Sequence, residues 1–356
     1  MKKKIKVRYI VRTTISIVLI FSILLGLQRL VAPKYTEGVI EGGFTEEYYQ
    51  ETLPHDVLMV GDCEVYESFS PIDLWREYGI TSYIRGSAQQ LIWQSYYLLE
   101  DALQYEKPKA VIFNVQALMH SKPQKEEYNR MTIDGMKWSK IKMKAIYASM
   151  LPEEHLVDYL FPIFRYHSRI TELTKDDFTY YNRHKKVSNN GYYMRIDEAP
   201  YVEGIWEEDI PDTYQFGELP MSYLDKMKEL CEKNGIQLIL VKAPSVSPVW
   251  YPEYEEQVEK YAQKNNLVYF NYLELADDVG IDYFTDTYDM GLHMNLSGAK
   301  KLTSHLGQYL ADECNLDGHK SEAEYKEVWK EKEKFYDKMK AAQEKEVQEY
   351  GYVVSY

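Results

Sequence analysis

Short apolar runs alternate with amphipathic stretches over most of the chain, and this rhythm sets the expected elements. DVLMV (56–60), closed by Gly61, is a β-branched apolar run that predicts a buried parallel strand. ITSYI (80–84), closing at Gly86, and AVIFNV (110–115), preceded by Pro108, predict two more. Between them, 72–78 predicts a helix with Pro71 at or near its first turn, and 89–104 predicts a longer one. The latter carries Leu91, Ile92, Tyr96, Leu98, Leu99 and Leu103 at mostly helical spacing. The rhythm breaks over 117–220, which is rich in Lys, Tyr, Met and Glu, with helical stretches near 138–150 and 155–160 and loop signals at 189–191 and Pro211. This segment is expected to be an insertion or cap over the sheet. Helix at 223–234, strand at 236–244 (IQLILVKAP), helix at 254–265, strand at 267–272 (LVYFNY) and helix at 298–310 then resume the pattern. Strands separated by helices are the signature of an open α/β sheet.

The two ends depart from this rhythm. From Thr14 to Ala32 the chain is apolar with one charge, Arg29, near the far end, after a flank with six Lys/Arg before residue 13. The stretch is at the short side of the roughly 17–25 residues that cross a bilayer. Its basic flank fits a signal peptide or a signal anchor. No small-x-small cleavage site closes it, since Leu30 and Ala32 precede Pro33, so an uncleaved anchor is expected. The positive flank would stay in the cytoplasm and place the rest outside. The expected organisation is 1–32 as tail and anchor, 33–53 as a linker holding Gly38, Gly42 and Gly43, 54–320 as the α/β domain with its insertion, and 321–356 as a charged helical extension. In that extension Trp329, Phe335, Tyr336 and Met339 dock an otherwise solvated helix, to which no chemistry is assigned.

Composition narrows the partners. With 42 Lys+Arg against 56 Asp+Glu the net charge is −14, which argues against nucleic acid. Cysteines at 63, 231 and 314 are too few and dispersed for a structural zinc site or a disulfide scaffold, and no metal or cofactor is expected. Outside the cytoplasm, either two pair and one is free, or all three are thiols. The 34 tyrosines read as an aromatic-rich surface or a carbohydrate-stacking groove.

Candidate chemistry lies where strands end, because loops beyond the carboxyl ends of parallel strands carry the sites of open α/β sheets. Cys63 follows the first strand at a strand-to-helix turn, where a nucleophile can project beside backbone N–H groups. Its flanking Asp62 and Glu64 would raise the thiol pKa. The competing reading is a buried, inert cysteine. His293, in YDMGLHMNLSGAK (288–300), precedes the last core helix, with Asp289 four residues upstream and Asp286 three further back. Such an imidazole can take a proton from a nucleophile while a carboxylate fixes its tautomer. The alternative is a solvated loop histidine. Asn295 or Ser297 would cap the following helix.

Taken together, GDCE after the first strand, IRGSAQQ after the second, AVIFNV, and the D…H…N.SG block resemble the SGNH (GDSL-like) hydrolase superfamily. The run YESFSPIDLWREYGITSYIRGSAQQ is similar to its exported, membrane-anchored branch related to DltD of teichoic-acid D-alanylation. The resemblance spans roughly 54–312, with 117–220 as its variable part. It implies a three-layer α/β/α, flavodoxin-like fold with a mostly parallel sheet. By position, Cys63 stands at the family's nucleophilic serine, Gly86 would give a backbone oxyanion donor, Asn114 a side-chain donor, His293 the base and Asp289 its carboxylate. The chain departs from the family in having cysteine for serine, in placing Met290 where the family's Asp three residues before the histidine stands, and in lacking the usual glycine context around Asn114. Asp286 remains the alternative carboxylate. The resemblance implies an acyltransferase or esterase acting on envelope polysaccharide or a teichoic-acid-like polymer, with an acyl donor and a membrane-bound O-acyltransferase as partner. A catalytically silent glycan-binding or scaffold protein is the competing class.

Overall fold

In the computed structural model, residues 2–35, 39–123, 125–183, 187–206 and 210–355 are described. Gly38 of the expected linker lies outside them. The chain divides into two compact units, one of residues 1–34 with 152–185 and the other of 35–151 with 186–356.

In the larger unit, β1 (Val57–Gly61), β2 (Ser82–Gly86), β3 (Ala110–Asn114), β4 (Gln237–Lys242) and β5 (Val268–Asn271) form one sheet in the order β2-β1-β3-β4-β5. All four pairings are parallel. The period-two alternation of strands sorts the side chains to opposite faces. Val57, Met59, Ile112, Ile239 and Val241 join one core, and Leu58, Val60, Val111, Phe113, Leu238 and Leu240 join the other. The first face is covered by the helices Pro71–Tyr78 and Leu296–Asp312 through Ile72, Leu74, Trp75, Leu302 and Leu306. The second is covered by Ile92–Ala102, Glu218–Asn234 and Pro252–Asn265 through Trp93, Leu99, Leu224, Met227 and Val258. A sheet buried on both sides needs near-continuous apolar strands, which is why these segments are legible as runs. The result is a three-layer α/β/α fold whose strand order reverses between β1 and β3. In such folds the crevice at that reversal, outside the strands' carboxyl ends, is where ligands bind.

The expected 117–220 insertion has three parts. Helices Glu126–Ile133 and Lys140–Ser149 pack beside Ile92–Ala102, tied by Gln94 Nε2 to Asn129 Oδ1 at 2.9 Å and Asn129 Nδ2 to the Ser149 carbonyl at 2.8 Å. Residues 152–185 belong to the other compact unit. The third part is an extended run from 189 to 201. Asn190 accepts from the Ile84 N–H at 2.9 Å and its side chain donates to the Ser82 carbonyl at 2.8 Å, so this run protects the free edge of β2. Farther along, the Ala199 N–H donates to Thr287 at 2.9 Å and the Met290 N–H to Ala199 at 3.1 Å. One belt therefore joins a sheet edge to the loop that carries His293.

The C-terminal helix runs Ala323–Tyr350. Trp329 stacks on Trp75 with centroids 4.9 Å apart, and Tyr336 donates to Asp73. Buried Lys332 reaches Glu51 at 2.8 Å, and Gln343 donates to the Met194 carbonyl at 2.9 Å. In the smaller unit, one helix (Lys2–Val31) is long and apolar enough over Lys6–Val31 to cross a membrane.

Candidate active site

The carboxyl end of β1 turns into a one-turn helix, Cys63–Tyr66, capped by Asp62, whose side chain accepts from the Glu64 N–H at 3.2 Å. Cys63 is the first residue of that turn and is half-buried. Its N–H is one of those a helix start leaves without an intrahelical acceptor. Across the crevice, His293 comes within hydrogen-bonding reach of the Cys63 thiol. Its Nδ1 lies 2.6 Å from Asp289 Oδ2, which leaves Nε2 as the ring nitrogen for sulfur.

The spacing of Asp289 and His293 is resolved by the local backbone. Met290 and Gly291 both take positive φ, 62° and 95°, so the chain folds back within one turn. Asp289 then grips His293 twice, through Oδ1 to its N–H at 2.8 Å and through Oδ2 to its ring. A Thr287–Met294 bridge closes the loop. Asn295 is the cap of Leu296–Asp312, accepting from Ser297 and Gly298 N–H at 2.9 and 3.3 Å and donating to the Thr285 and Asp197 carbonyls. Asp286 is buried elsewhere, 2.6 Å from Lys301 Nζ, and accepts from the Asp282 N–H.

Gly86 ends β2 level with Gly61 of β1. A Cβ there would come within 3.0 Å of the Gly61 carbonyl and 3.1 Å of the Tyr66 ring, so the close approach of these strand ends favours glycine. Asn114 is engaged differently from the expected oxyanion donor. Its Nδ2 donates to Glu64 at 2.9 Å and Asp62 at 3.3 Å, and its Oδ1 accepts from Ala243 N–H. Both amide hydrogens go to carboxylates because the β1–β3 side of the site carries two buried acids that need donors. Lys242, fully buried at the end of β4, completes the set with 3.0 Å to Glu64 Oε2 and 2.7 Å to the Ala243 carbonyl.

Acidic groups dominate the electrostatics. Burial pushes Asp62 up to about 7, with Glu64 adding to it, and burial likewise raises Glu67 to about 7 against the pull of His293. Burial pushes the Cys63 thiol up to about 11; His293 opposes this, and Asp62 and Glu67 add to it. For His293, burial works against the charged ring, but Glu67, Cys63 and Asp289 outweigh it and hold the imidazole well above its usual value. The surroundings thus favour the protonated thiol at Cys63 and the charged ring at His293.

Cys63, His293 and Asp289 are brought together; Gly86 stands at the neighbouring strand end; Asn114 is beneath them in the carboxylate network. Sequence reasoning missed Glu67, 3.8 Å from His293 Nδ1, and Tyr288, which donates to Glu67 and lies nearly parallel to the His293 ring at 6.1 Å between centroids. It also missed Lys242. The available signal for the last was a lysine closing an otherwise apolar central strand. Among the described residues no group of His, Cys, Asp and Glu could hold a metal ion.

No family model matches the chain, and neither does any curated protein. Solved structures do. A protein assigned to the G-D-S-L lipolytic family from Desulfitobacterium hafniense aligns at 14% identity and TM-score 0.36 over 71% of this chain and 97% of its own. A Bacteroides fragilis protein assigned as an acylhydrolase aligns at 14% and 0.38 over 76% and 95%. A GDSL-like lipase from Bacteroides thetaiotaomicron aligns at 13% and 0.36 over 76% and 99%. The α/β/α assignment stands on the strand order and registers themselves.

Proposed function

We propose that this chain is a membrane-anchored SGNH-type acyltransferase or esterase that acts on envelope polysaccharide or a teichoic-acid-like polymer through an acyl-enzyme on Cys63. The observation that carries the reading is the meeting of Cys63, His293 and Asp289 at the β1–β3 reversal, with the ring held at Nδ1 by a 2.6 Å contact.

In the first half-reaction His293, as the neutral ring left after its Nε2 proton has passed to solvent, takes the thiol proton on Nε2 as sulfur bonds to the acyl carbon. The carbonyl oxygen becomes an oxyanion facing the N–H groups of Cys63 and Gly86. Collapse breaks the bond to the leaving oxygen, which takes the proton from His293 and departs as an alcohol. In the second, His293 deprotonates a sugar or polyol hydroxyl, or water, the new oxygen bonds to the acyl carbon as the carbon–sulfur bond breaks, and the departing sulfur takes the proton back from His293 to regenerate the thiol. The acyl group is acetyl or D-alanyl in this reading. The basic flank keeps the amino terminus inside and the α/β unit outside, where a tether near a membrane-bound O-acyltransferase raises the local concentration of donor and acceptor.

In cells, Cys63→Ala should abolish the acyl groups this protein adds or removes from the envelope, read by base-released acyl content. Unchanged acylation in both Cys63→Ala and Cys63→Ser cells contradicts the proposal. A non-catalytic glycan-binding or scaffold role is favoured by one observation, the thiol pushed up to about 11 beside a ring whose neighbours favour its charged form. Under that role the same substitutions leave the chemistry untouched while deletion of the whole protein does not.

A further inference from the structure

Residues 152–185 share a compact unit with the apolar amino-terminal helix and with nothing else. They close over its last turn. Arg169 donates to the Val31 carbonyl at 2.6 Å and to Asp177 at 3.1 Å, and Val31 is 1% exposed while the membrane-length window before it is bare. Five large apolar side chains of this collar are left uncovered: Val157, Leu160, Phe164, Ile170 and Phe178 are each 40–63% exposed. Val157 and Leu160 share a face of the helix Leu156–Leu160. Exposed Arg165 and Lys175 stand among them in sequence, as do exposed Glu172 and Asp176, and exposed Glu153 precedes them.

Depth follows from length. The 26 residues Lys6–Val31 extend about 39 Å at about 1.5 Å each, against a hydrocarbon core of about 30 Å. Val31 and the collar on it then fall at headgroup level. Aromatic and aliphatic side chains with interspersed Arg and Lys are the composition that such a layer accepts. Large apolar side chains clustered on a surface otherwise mark a binding face.

We propose that residues 152–185 are a membrane-seating collar that inserts these five side chains into the headgroup and upper acyl region of the leaflet from which the amino-terminal helix emerges. The proposal rests on the reading that Lys6–Val31 spans the bilayer. Its occupant is lipid because the collar is continuous with a helix whose own surroundings are lipid in that reading.

The test uses the full chain in vesicles of phosphatidylglycerol and phosphatidylcholine doped with a phospholipid bearing a photoactivatable group near the glycerol end of its acyl chain. Adducts are mapped by peptide mass spectrometry. Adducts on 152–185 as well as at the Val31 end of the helix are expected, and a Phe164→Ser/Phe178→Ser variant should lose most of the former and keep the latter. Adducts confined to the amino-terminal helix overturn the collar while leaving the anchor intact. So does protection of the collar by a crosslinked protein in native membranes. Absence of adducts on the helix itself overturns the anchor reading, and the collar falls with it.

Discussion

Glu67 lies 3.8 Å from His293 Nδ1, behind the ring's contact with Asp289, and is the strongest of the charges that favour the charged imidazole. It also helps to raise the Cys63 thiol. Both effects oppose the proposed reaction, since a neutral ring is needed to take the thiol proton. Acylation should therefore accelerate as pH rises above neutral. Glu67→Gln removes the charge without removing the volume, and its rising limb should move down by roughly one pH unit, seen as faster thiol acylation at pH 7. A limb that stays in place would show that Glu67 does not set the site's protonation. The two candidate carboxylates separate by the same logic. Asp289→Asn should cut the rate by about two orders of magnitude or more, because it releases the ring from its tautomer. Asp286→Asn should leave the rate nearly unchanged and lower stability, since Asp286 bonds Lys301 and the Asp282 N–H. Equal losses in rate would contradict the assignment.

Among elements, the five strands were legible because each is centred on a short apolar run, buried throughout β1, β2 and β3 and along nearly all of β4, though only half-buried over most of β5, and pattern then marks it. The core helices were legible from their spacing, with ends moved by caps such as Asn295 and by Pro71 at the first turn of its helix. The belt from 189 to 201 was not legible. Its bonds run from single backbone and side-chain groups to β2 and to the His293 loop, and such contacts impose no period. Residues 152–185 read as part of one insertion for the same reason, since their partner is the amino-terminal helix more than 100 positions away in sequence. In the site, Cys63 and His293 could be found from their places after a strand and before a helix, and Gly291 was the local sign that Asp289 folds back. Glu67, Tyr288 and Lys242 left little trace because their roles come from three-dimensional neighbours. The C-terminal helix shows the limit of reading charge as solvation, since Lys332 is buried on Glu51, whereas Trp329, expected to dock the helix, is stacked on Trp75. Trp329→Ala should cost about 3–5 kcal/mol in denaturant unfolding. A loss under about 1 kcal/mol would mean the helix is only loosely docked.

At the scale of the whole molecule, the two ends of the sheet carry opposite tasks. The carboxyl ends hold Cys63 and His293, the proposed reactive pair. Near the amino ends, buried His55 sits between Glu106, 3.0 Å from its Nδ1, and Glu51, 3.5 Å from its Nε2, with Lys332 closing on Glu51. Burial opposes its charge, but the two carboxylates raise it to about 9. With an unfolded value of about 6.5, the ion pairs contribute fully below that pH. Their contribution is lost as pH rises through about 9. The shift corresponds to a few kcal/mol. Urea unfolding between pH 6 and pH 10 should show this decline in the wild type and a flatter profile in His55→Gln. Parallel profiles would remove His55 from the account.

The central claim is a covalent acyl group on Cys63, and intact-protein mass spectrometry of the full chain in detergent after exposure to an activated acyl ester tests it most directly. The wild type should gain one acyl mass, Cys63→Ala none, and His293→Ala the same mass far more slowly. No mass gain on folded wild type, or an equal gain in Cys63→Ala, would contradict it.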